Sequence, residues 1–144
     1  MAIIKSICAL LALAAAGALQ ADDTRQLVTL PTAAQAVLRE EMLGNLRAIN
    51  EITTYLAEGK LAEAGRVAEE TLGLSAMGRN RALPLEARPG AHMPPAMHEI
   101  GISGHKAASE FARAAASGDR DQALARLPGL TANCVACHHA YRLR

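Results

Sequence analysis

Two thiols three positions apart with an imidazole directly after them, Cys134-Val135-Ala136-Cys137-His138, form the cluster in this 144-residue chain whose residue types and spacing point to a definite chemistry. On a helix both thiols fall within one turn, so each can add its S–H across a vinyl group of the same porphyrin, and the imidazole of His138 then lies under the iron. This is the c-type haem attachment pattern. It predicts one covalent haem c, anchored through Cys134 and Cys137, with His138 as proximal ligand. A zinc site is a poor alternative, because Cys134, Cys137, His138 and His139 are crowded onto little more than one turn and cannot surround a metal tetrahedrally. A thioredoxin-like site needs a strand before the two cysteines and a sheet around them, and the sequence shows neither. A plain disulfide between the two thiols in an oxidising compartment is the bland alternative.

The start of the chain bears on the compartment. Residues 1–21 read as a secretory signal: Lys5 supplies the positive n-region, and the run from Ile7 to Leu19 is apolar, rich in small residues and too short for a membrane span. Cleavage after Ala21, or after Ala18, releases a mature chain beginning near Asp22. Cys8 lies inside the apolar run and leaves with the leader, so Cys134 and Cys137 remain. The expected location is periplasmic, on the side of the membrane where c-type haem is attached.

Composition bounds what surrounds the motif. Residues 22–144 suffice for one domain with one core. Hydrophobic residues make up 51% of the chain but aromatics only 2%, namely Tyr55, Phe111 and Tyr141, with no Trp. A core of Ala, Leu, Ile and Met lacks bulk, which a buried porphyrin supplies. Once Lys5 is lost, 14 basic residues face 14 acidic ones, and no basic run marks a nucleic-acid or membrane footprint. Arg79, Arg81 and Arg88 read as a solvated loop, with haem propionates as a sharper alternative. Arg142, one turn after His138, is the better propionate or surface-docking candidate.

The elements that must position the motif are helical throughout. Pro31 and Thr32 open a first helix whose apolar positions recur at Leu38, Met42, Ile49, Ile52 and Leu56, with Asn45 in the same stripe, and Gly59 stops it. A second helix is expected over Leu61–Leu74, with Val67, Thr71 and Leu74 on one side and Glu63, Glu69 and Glu70 among its polar positions. Ser75 to Pro94 holds Pro84, Pro89, Gly90 and Pro94 and cannot be helical throughout. A third helix over Pro95–Ser117 carries Met97, Ile100, Ala108, Phe111 and Ala115 inward. After Gly118 and Asp119 the last helix carries the motif to the end of the chain, and Pro128-Gly129 should interrupt or kink it. Four helices with short hairpins at the ends and one long middle connection predict an all-α fold, an antiparallel four-helix bundle with one covalently bound haem c.

A secreted four-helix chain ending in Cys134-Val-Ala-Cys137-His138-His-Ala-Tyr141-Arg142 resembles the cytochrome c prime family over nearly the whole of residues 22–144. The resemblance implies haem between the helices, in two variants. One is five-coordinate with an apolar residue over the iron; the other is low-spin, with a methionine of the first helix as sixth ligand. Members of the five-coordinate branch often carry an arginine four residues before the distal apolar residue and a glycine sixteen after it. From Arg39 and Gly59 both rulers land on Leu43. Periodicity points instead to Met42, which shares the stripe of Leu38, Ile49 and Ile52, whereas Leu43 aligns with Leu46, Asn50 and Thr53. Met42 is therefore the favoured distal ligand and Leu43 the alternative, with His105 a third candidate on a more polar stripe. His92 and His98 fall near a loop and a helix start, and His139 points about 100° away from His138. Family members are commonly homodimers joined through the first two helices, where Leu46 and Tyr55 are contact candidates.

These observations imply a mono-haem electron carrier that meets redox partner proteins and transforms no substrate, and so is not an enzyme. The alternative is a five-coordinate module binding nitric oxide or carbon monoxide. Peroxide turnover needs a distal acid–base group, for which Arg39, Glu40 and Glu41 are near in sequence.

Overall fold

The computed structural model describes residues 22–144; residues 1–21, read above as a leader, and Cys8 with them lie outside the described residues. Among these residues the fold is all-α, 73% helical with four helices and a single two-stranded pairing. Helix α1 spans Thr32–Ala57, begins directly after the extended Pro31 and ends at Gly59, whose φ of +74° a side-chain-bearing residue adopts only with strain. Helix α2 spans Leu61–Val67 and continues as one π-type turn over Ala68–Leu72. Three short 3-10 turns, Leu74–Ala76, Leu85–Ala87 and Pro89–Ala91, make up most of the ordered backbone of the long connection. Helix α3 is Pro95–Ala116, opened by a proline that loses nothing at the first helical position. Helix α4 is Arg120–Ala140. Its N-cap is Asp119, whose carboxylate accepts from the Gln122 backbone N–H at 3.0 Å and from the Gln122 side-chain amide at 2.8 Å.

Three expectations are corrected. The second helix does not reach Leu74 as regular α-helix: it widens at Ala68, stops at Gly73, and leaves Leu74 44% exposed. Pro128-Gly129 does not interrupt the last helix, which runs through both residues. Pro128 lies on the exposed side, where a carbonyl freed by the ring can bond to water. That helix also stops before the end of the chain. Tyr141–Arg142 is an extended strand, β2, paired in parallel with Gln26–Leu27, β1, in the register Gln26 to Tyr141 and Leu27 to Arg142.

Successive helices pack on one another, α3 against α4 most extensively, while α1 and α4 scarcely approach each other. The close fit of α2 on α3 depends on Gly65, where a Cβ would stand 3.0 Å from the Ala112 carbonyl oxygen and 3.1 Å from the Ala115 Cβ. The buried side chains fall into two separate clusters. The larger holds Ala48, Ile52, Leu56, Val67, Phe111 and Leu130 among others. The smaller holds Val28, Leu30, Ala34, Leu38 and Met97, with Met93, Cys137, Tyr141 and Leu143 packed against it. Tyr55, expected on an outward face, packs against the larger cluster with the Lys60 ammonium 5.9 Å from its ring centre. On the helical wheel it lies near the buried Ala48, which explains the difference. Leu46 does point outward, 68% exposed.

Candidate functional site

Counting about 100° per residue, Ala123, Leu127, Leu130 and Cys137 lie within an arc of roughly 80° on α4, with Tyr141 directly after its end; Cys134 falls inside that arc and His138 beside it. Of these, Ala123 and Leu130 are buried and Leu127, Cys137 and Tyr141 half-buried, yet Cys134 and His138 are exposed. The inward stripe of α4 is thus not covered by protein where it carries two of the three motif side chains.

The break between the two apolar clusters falls at this level. No side chain is fully buried between Leu38 and Ala48 on α1, between Met97 and Ala108 on α3, or between Leu130 and the end of α4. At 1.5 Å per residue these stretches span roughly 15, 16 and 15 Å. They contain Met42 and Asn45 on α1, Gly101, Gly104 and His105 on α3, and Thr131, Asn133 and Cys134 on α4. A Cβ at Gly44 or Gly101 would meet nothing within 4 Å. Two thiols and an imidazole on one turn, apolar clusters on either side and sparse side chains between them fit a flat apolar macrocycle with covalent anchors. Cys134 and Cys137 are both free thiols. Burial, and secondarily the neighbouring Cys134, pushes the Cys137 thiol up from its ordinary value. Among the described residues the His138 ring has no hydrogen-bond partner, and no group of three or more His, Cys, Asp or Glu side chains could by itself hold a metal ion.

The distal candidates stand apart from one another. Met42 is 38% exposed and Leu43 51%, and neither belongs to a buried cluster. Relative to Leu38, Met42 is rotated by about 40° and Leu43 by about 140°, so Met42 flanks the buried stripe and Leu43 faces away from it. His105 is a half-buried boundary residue whose Nδ1 lies 2.7 Å from the Leu72 carbonyl oxygen and 3.1 Å from that of Gly73. It ties α3 to the end of α2. His92 Nε2 sits 3.0 Å from the Leu85 carbonyl oxygen, and His98 and His139 are exposed.

The arginines and acids of the connection and first helix engage locally. Arg79 donates to the Thr71 carbonyl and Arg88 Nε to that of Leu83 at 2.7 Å, while Arg81 is exposed. Asn80 donates to Glu41 at 2.8 Å, which lays the connection across α1 one residue before Met42. Arg39 is 3.5 Å from Gln35, and Glu40 pairs with Arg47 at 3.7 Å. Arg142 turns to the N-terminal segment, its Nε 3.6 Å from an Asp23 carboxylate oxygen and 3.4 Å from the Arg25 carbonyl oxygen.

Asp23, Arg25, Val28 and Leu30 were missed by sequence reasoning. A signal existed: in Gln26-Leu27-Val28-Thr29-Leu30 the apolar Val28 and Leu30 alternate with polar Thr29 just before Pro31, the pattern of a half-buried strand. A groove of about 520 Å³ between α2 and α3, lined by Gly65, Glu69, Leu74 and Ser109 among others, lies away from the motif. Among the described residues no helix is long and apolar enough to cross a membrane. Compared with protein-family models, curated proteins and solved structures, the chain has no match.

Proposed function

We propose that residues 22–144 form an exported, periplasmic mono-haem c-type cytochrome, an antiparallel four-helix bundle of the cytochrome c prime kind that carries electrons between redox partner proteins. The observation that carries this proposal is the placement of Cys134 and His138 on the inward stripe of α4 at the level where the apolar core is interrupted. When bound, the haem supplies a one-electron iron couple. The chain's own residues do the rest. Cys134 and Cys137 would hold the haem as thioethers, each S–H adding across one vinyl group, an addition that needs no oxidant. His138 would offer a ring nitrogen to the iron. Leu38, Met97 and Leu130 flank the site and would give the haem apolar surface to pack on.

Met42, on the edge of the buried stripe, is the residue that would hold the iron on the side opposite His138, and its thioether would raise the reduction potential. A second function, reversible binding of nitric oxide or carbon monoxide at an open position on the iron, is favoured by one observation: Met42 belongs to neither buried cluster. The test begins with export in a host that attaches haem c. A denaturing gel stained for haem peroxidase activity should show a band at the mature chain. Haem that leaves with acidified organic solvent contradicts the proposal. Cys134→Ala and Cys137→Ala should each retain at most one thioether, and His138→Ala should abolish normal iron ligation.

A further inference from the structure

We propose that residues 22–30 are a strap that positions His138 by holding the last turn of α4, an inference that rests on His138 being the proximal ligand. The difficulty it addresses is physical. His138 lies two residues before the end of α4, and the last four carbonyls of a helix have no partner within it, so this turn is where fraying is expected. One of these carbonyls, that of Cys137, accepts from the Tyr141 N–H. The carbonyl of His138 itself accepts from Arg25 Nη1 at 3.4 Å. The guanidinium also places positive charge at the negative end of the helix dipole.

The strap holds Arg25 there from three directions. Its backbone pairs with Tyr141–Arg142, and the Val28 N–H donates to the Arg142 carbonyl at 2.8 Å. Its side chains Val28 and Leu30, each 4% exposed, belong to the cluster against which Cys137 and Tyr141 pack. Its carboxylate Asp23 grips the Arg25 guanidinium with two oxygens, at 2.7 and 2.9 Å, and reaches Arg142 at 3.6 Å. Arg25 is a positioning residue, acting on the iron only through the turn that carries His138.

A general contribution to stability and a specific hold on His138 predict different unfolding curves. The experiment uses the haem-loaded protein in urea, following iron ligation by visible absorption and helix content by far-ultraviolet circular dichroism. The thioethers keep the haem on the chain, so the absorption change reports loss of ligation and not loss of haem. In the wild type the two midpoints coincide. In Arg25→Ala, an exposed substitution that leaves the cores intact, the ligation midpoint falls ahead of the helix midpoint, and Arg25→Lys restores it in part. Val28→Ala, which loosens the strap from its apolar side, should separate the midpoints in the same direction. Midpoints that stay together in both variants overturn the proposal, as does a Val28 amide that exchanges with solvent as fast as an unprotected one in the wild type. A chain without covalent haem fails the haem stain before any urea is added. That outcome overturns the strap's role at the iron together with the proposed function, whereas stained protein with coincident midpoints overturns the strap alone.

Discussion

Replacing Met42 by alanine separates electron carrier from gas binder, and the structure sets the scale of the result. Met42 is 38% exposed, so about three-fifths of its surface is covered. Full burial of a methionine side chain contributes roughly 1.5–3 kcal/mol, so the packing lost in Met42→Ala is about 1–2 kcal/mol. That lies below the roughly 2–5 kcal/mol expected had Met42 been a fully buried core residue. Ligation adds to the packing loss and changes the spectrum. The ferric wild type should be low-spin with a weak sulfur–iron charge-transfer absorption at the red edge. Met42→Ala should be high-spin, should lose well over 2 kcal/mol in urea titration, and should bind nitric oxide faster because no sulfur has to be displaced. A ferric spectrum that does not change on substitution, with a loss within the packing range, refutes ligation by Met42 and makes gas binding at an open position the leading function.

Four further outcomes follow from the packing and the charges. Phe111→Ala, which empties the largest fully buried side chain, should cost about 3–5 kcal/mol by chemical denaturation. Gly65→Ala forces a methyl against Ala112 and Ala115 and should cost about 1–3 kcal/mol, visible as a lower urea midpoint with the helix content retained. Asp119→Ala removes the N-cap of α4 and should cost about 1 kcal/mol. Hydrogen bonds from Ser109 and Ser75 hold the Glu69 carboxyl below its ordinary value. The stability this group adds is therefore present above the ordinary carboxylate range and lost as pH falls through the lowered value. Ser109→Ala should flatten that acid limb of a stability-against-pH curve.

Much of this was legible locally. Pro31, Gly59 and Asp119 mark helix ends through their own backbone or hydrogen-bonding chemistry, so α1, α3 and α4 begin where the sequence says they should. The motif is a contiguous pentapeptide and needs no structure to be read. What was illegible depends on partners distant in sequence. The π-type turn at Ala68 serves the close seating of α2 on α3, where Ser109 and His105 bond to Glu69, Leu72 and Gly73. Tyr141–Arg142 leaves the helix to pair with a segment more than a hundred residues earlier, and two residues cannot display a period. Pro128 does not interrupt the helix: it sits on the exposed side, where the carbonyl that its missing N–H frees can bond to water. Periodicity set Met42 on the stripe while the family's spacing pointed to Leu43; that Met42 is 38% and Leu43 51% exposed, with neither in a buried cluster, was not legible from sequence.

The central claim is that Cys134 and Cys137 bind haem through thioethers, and the intact mass of the exported, fully denatured protein tests it most directly. The proposed function predicts a single species heavier than residues 22–144 by one haem, with the mass unchanged after extraction by acidified organic solvent. A species at the mass of the bare polypeptide, or one lighter by two hydrogens with Cys134 and Cys137 joined as a disulfide, contradicts it.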